Sequence, residues 1–213
     1  MTAGADFPFD IVIFGIVAVF LVIRLRGILG RRDGFEPKAE TPVGPVAAPP
    51  PPAPAAVIGL PASGSPVEHT LQAIQASEPS FDPARFLADA QSAFRAIVVA
   101  FARGDHATLS LLTGRLPQAA FERAIAEREQ ARLTQHAEIL AIESARITDA
   151  TLVGQVAAIT VTFVSEQTSF ITNEAGEITA GHEGRTLIDD IWTFERTIGT
   201  SDPVWKLVET HQT

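Results

Sequence analysis

Five histidines, at positions 69, 106, 136, 182 and 211, are the first residues to examine for chemistry, and no two sit at a helical or hairpin spacing that would bind a metal. The chain has no cysteine, so disulfides, thiolate metal sites and cysteine nucleophiles are excluded. It also lacks a phosphate-cradling glycine loop, a G-x-G-x-x-G turn and a G-x-S-x-G nucleophile elbow. No catalytic residue, cofactor or metal is therefore assigned. One position keeps an enzyme reading open. If the segment around 188–194 is a strand, Ile188, Asp190, Trp192 and Phe194 share a face, and that face is otherwise apolar. A carboxyl placed there would be desolvated and its pKa raised, as a general acid or base requires. The structural alternative is a bulge that turns Asp190 outward, or a carboxylate accepting hydrogen bonds at the sheet edge.

Elements to position such residues are legible from the second half of the chain. Asp82 is an N-cap followed by Pro83, a favourable first helical residue. Phe86, Ala90, Phe94, Ile97, Val98 and Phe101 recur at helical spacing, and Gly104 ends that helix. Asp105 caps a short second helix that ends near Gly114, and Pro117 starts a third carrying Phe121, Ala124 and Ile125. The mixed charges of the third helix, Glu122, Glu127 and Glu129 against Arg123, Arg128 and Arg132, read as a solvated face. From His136 the period shortens: HAEILAIESARI, QVAAITVTFVSEQTSFI, EGRTLIDDIWTFERTI and VWKLVET alternate and are rich in β-branched and aromatic residues. N-E-A-G-E at 173–177 is a hairpin turn. Three helices followed by about four strands predict an α+β domain over 81–213, with helices on one face of an antiparallel sheet. Trp192 and Trp205 alternate with apolar neighbours and read as packing residues, or else as the rim of a cavity.

Residues 37–66 hold ten prolines and seven alanines, a composition that cannot bury enough surface to fold. Residues 33–80 are accordingly read as a disordered linker.

The first 32 residues are different. From Ile11 to Ile23 every residue is apolar or glycine. Phe7–Ile23 would extend roughly 26 Å as a helix, slightly short of a hydrocarbon core of about 30 Å. Leu25, Ile28 and Leu29 lengthen it if Arg24 and Arg26 snorkel. The anchor's apolar surface is Phe9, Ile11, Val12, Ile13, Phe14, Ile16, Val17, Val19, Phe20, Leu21, Val22 and Ile23. A cleaved leader has its positive charges before the apolar run, whereas here an acidic M-T-A-G-A-D precedes it and Arg24, Arg26, Arg31 and Arg32 follow. The arrangement predicts a single-pass anchor over 1–32. The arginines serve as topology and headgroup residues, holding the C-terminal body on the cytoplasmic side of the inner membrane. From Phe81 onward the body carries 11 Lys and Arg against 18 Asp and Glu, which argues against nucleic acid as a partner.

The N-terminal FDIVIFGIVAVFLVIRLRGILGRR and, in the body, FLADAQSAFRAIVVAFARGD, FVSEQ, DDIWTFER and SDPVWKLVET together resemble bacterial, TimA-type members of the Tim-44-like domain family. That resemblance implies a cone-shaped helix-plus-sheet fold of the cystatin-like or nuclear-transport-factor-two-like kind, with a large apolar pocket. Phe94, Phe121, Phe163, Asp190, Trp192, Phe194 and Trp205 are the residues expected to line it. The resemblance further implies a non-enzymatic membrane adaptor whose partners are lipid and a membrane-protein or translocation-complex component. The long N-terminal region that recruits a chaperone motor in the mitochondrial relative is replaced here by one apolar segment and a proline-rich tether.

Overall fold

The computed structural model describes residues 57–212. The expected anchor over 1–32 and most of the proline-rich stretch lie outside the described residues. Among those described, no helix is long and apolar enough to cross a membrane.

The ordered body begins earlier than position 81. A short strand β1 (Val57–Gly59) is followed by helix α1 (Pro66–Ser77), so the assignment of 33–80 to a disordered linker is corrected from residue 57 onward. The reason is local. Ser65 accepts a hydrogen bond from the Glu68 amide at 3.1 Å, Glu68 reaches back to the Gly64 amide, and Pro66 occupies the first turn. The last proline of the run therefore starts a helix. Leu71 and Ile74 are buried by it. Ile74→Ala is expected to lower the unfolding free energy by about 2–5 kcal/mol in a urea melt, whereas a residue in a free tether would show no change.

Helix α2 (Pro83–Arg103) has the expected ends: Asp82 accepts from the Arg85 amide at 2.7 Å, and Gly104 closes it in the left-handed conformation at φ 69°. Helix α3 (His106–Leu112) is capped by Asp105, whose carboxylate accepts from the Thr108 amide at 3.1 Å. Helix α4 (Arg115–Gln130) starts two residues before Pro117, with Gly114 as its cap. Gly114 is needed for a close approach: its N–H donates to the Leu207 carbonyl at 2.7 Å, and a Cβ there would lie 3.1 Å from a Val208 methyl. The body thus has four helices where the pattern predicted three.

Four long strands follow: β2 (Thr134–Val153), β3 (Val156–Thr172), β4 (Ile178–Thr197) and β5 (Lys206–Gln212). They form an antiparallel meander in the order β2-β3-β4-β5, with β1 added in parallel beside Ser144–Arg146 of β2. The β3–β4 turn is the expected one, with Asn173 and Glu177 pairing and Gly176 at φ 80°. Three register shifts along the β2–β3 pair, between Ile139/Ala141, Ile142/Ser144 and Ile147/Asp149, mark bulges that bend the sheet. All helices pack on one face, where Ile147, Ile159, Val161, Phe163 and Phe194 meet Ile74, Leu87, Phe94 and Ile97. On β4, His182–Leu187 are exposed.

Candidate functional site

Asp190 is the polar residue around which a site can be built. On β4, Asp190, Trp192 and Phe194 are buried while Asp189 and Glu195 are exposed, so the strand alternates without a bulge at this point. The carboxyl turns inward and is 5% exposed. Pairing sets Phe163 of β3 on one side of it and Gln212 of β5 on the other.

Both carboxylate oxygens are engaged. Gln212 Nε2 donates to Oδ1 at 3.1 Å and Gln167 Nε2 donates to Oδ2 at 3.1 Å, while Gln167 Nε2 also lies 2.8 Å from Ser165 Oγ. Ser165 and Gln167 are themselves buried. Burial pushes the Asp190 carboxyl above the ordinary aspartate range. The Gln212 and Gln167 amides pull it back, and the neighbouring Asp189 charge adds to the rise. The cluster bridges β3, β4 and β5. Chemically it is a buried carboxyl with one amide donor on each oxygen, an arrangement that favours its charged form against the desolvation around it.

The aromatic residues expected around a pocket divide into two groups. Phe94, Phe163 and Trp192 form one: Phe94 stacks on Phe163 with ring centroids 4.5 Å apart, and Trp192 meets Phe94 edge-on at 4.7 Å. Phe194 lies next to Trp192 at 6.2 Å and joins this group to Phe86. Phe121 is elsewhere, against Phe101 at 5.1 Å under helix α4. Trp205 continues the first group through Phe86, with Phe81 beside it, and Arg196 sits over its ring at 5.1 Å while pairing with Glu78.

Ser165, Gln167 and Gln212 were not singled out from the sequence. The first two had a readable signal, since in F-V-S-E-Q they share the parity of Phe163 and so fall on its face. Among the described residues no three of His, Asp and Glu come together at metal-ligand geometry.

A model of the Tim44-like domain matches residues 67–212. No curated protein matches the chain. Solved structures are similar at low identity. The intermembrane-space region of the chloroplast protein ARC6 is 14% identical with a TM-score of 0.46, covering 62% of this chain and 97% of that one. An NTF2-like family protein from Streptomyces avermitilis is 19% identical with a TM-score of 0.39, covering 61% and 97%. A conserved protein from Planctomyces limnophilus is 15% identical with a TM-score of 0.29, covering 58% and 94%.

Proposed function

The chain belongs to the Tim44-like domain family, and from that premise we propose that it is a membrane-held, non-enzymatic adaptor, a bacterial member of TimA type. In this reading the N-terminal segment crosses the inner membrane once. The proline-rich tether spaces the body from the bilayer, and the cone-shaped helix-and-sheet body engages lipid or a membrane-protein partner, such as a translocation complex, on the cytoplasmic side.

The observation that carries the reading is the pairing of a Tim44-like body with a 13-residue uncharged run, Ile11–Ile23, followed by four arginines. In this reading Asp190 is structural: its two oxygens accept from Gln167 and Gln212 and tie β3, β4 and β5 together.

Removing residues 1–32 is expected to shift the protein from the membrane pellet to the soluble fraction. Continued sedimentation of that truncation with membranes in high salt would refute the anchor, because salt strips headgroup attraction but not an inserted helix.

A further inference from the structure

The helices are not bound equally to the body. Helix α2 buries seven of its residues, whereas α1 buries only Leu71 and Ile74, with Val67 half-buried beside them. The packing of α1 is chiefly against β2. The aromatic column linking Phe163, Phe94, Trp192, Phe194, Phe86 and Trp205 has no member on α1. Strand β1 is held as lightly, by three residues added in parallel to an edge.

Both ends of this pair of elements are marked. Val57 continues directly from the proline-rich stretch. At the other end Glu78, just past α1, pairs with Arg196 of β4, and Pro79 and Ser80 are exposed. Phe81 is then buried against Phe86 and Trp205, with ring centroids 6.2 and 5.8 Å away. Phe81 therefore fixes where the core begins, and Pro79–Ser80 is the hinge before it. Load applied between the N-terminus and the body reaches β1 and then α1 before any residue of the aromatic column. A helix as short as α1 does not hold its form alone in water, so lifting it from β2 also melts it.

We infer that β1 and α1, residues 57–78, form a strap that opens as one unit ahead of the rest of the body and gives up its length to the tether. The inference rests on the adaptor reading, which puts a membrane at one end of the tether and a partner on the body. Fully extended, the strap adds at most about 75 Å of reach. The Glu78–Arg196 pair is its latch, because opening separates the two charges while Phe81 stays in the core.

The test is hydrogen exchange of the full chain in neutral detergent micelles, read by mass spectrometry. Amides of residues 66–77 should exchange about a hundredfold faster than those of 94–101 and 159–163. Leu109→Ala, in a helix packed on α2, α4 and β5, should speed the second group at least about thirtyfold and leave 66–77 unchanged. A strap that opens from an intact body does not feel the stability of the core. Equal acceleration of both groups would mean that α1 is released only by global unfolding, and would overturn the proposal. Uniform protection across 66–101 in the unmodified chain would overturn it as well, and needs no variant. Glu78→Gln should speed 66–77 about tenfold by leaving Arg196 closed in without its partner, and no change would refute the latch. Failure of the anchor would show separately, as loss of membrane sedimentation with the exchange pattern unchanged.

Discussion

Phe94→Ala is expected to cost about 3–5 kcal/mol of unfolding free energy in urea, a large part of the stability of a domain this size. The side chain is fully buried, stacked at an interplanar angle of 10° on Phe163 and met edge-on by Trp192. Truncation removes both aromatic contacts and leaves a space walled by α2, β3 and β4, which cannot close without moving the sheet. Trp192 reports directly, so near-ultraviolet circular dichroism and tryptophan emission should shift in the folded variant. The magnitude also separates two states of this region. In a filled core the full penalty appears, whereas a residue lining a cavity already in contact with water would lose well under about 1.5 kcal/mol.

Features readable from local chemistry agree with the structure: Asp82 with Pro83, Gly104 in its left-handed conformation, the turn through Asn173 and Gly176, and the inward parity of Asp190, Trp192 and Phe194. Each depends on a few neighbouring residues. Helix α1 was hidden because composition over a thirty-residue window outweighed one capping box, although Val67, Leu71 and Ile74 already had helical spacing. The bulges of β2 left no mark because an extra residue in one strand is defined only against its partner. Register hid Gln212 in the same way. Its proximity to Asp190 follows from where β5 pairs with β4, and no pattern within K-L-V-E-T-H-Q specifies that. The separation of Phe121 from the Phe94 group likewise follows from how α4 packs against α2, where Phe121 meets Phe101.

Asp190→Asn is expected to leave the protein folded and to change how its stability depends on pH. The sign follows from the raised pKa. A carboxyl that binds its proton more tightly when folded than when unfolded makes its full contribution below the ordinary aspartate range, and loses it as pH rises through the folded value. Asparagine does not titrate. In urea melts taken from pH 4 to pH 8, the unmodified protein should therefore lose stability relative to Asp190→Asn as pH rises, until the carboxyl is fully ionised. The Gln167 and Gln212 amides limit that loss, because each donates to the carboxylate. Gln167→Ala should consequently steepen the pH dependence and cost about 1–3 kcal/mol near neutrality, since it leaves one oxygen of a buried charge without a donor. A flat difference between the unmodified protein and Asp190→Asn across the whole range would mean that the carboxyl is solvated, and that the β3–β5 polar bridge does not hold it.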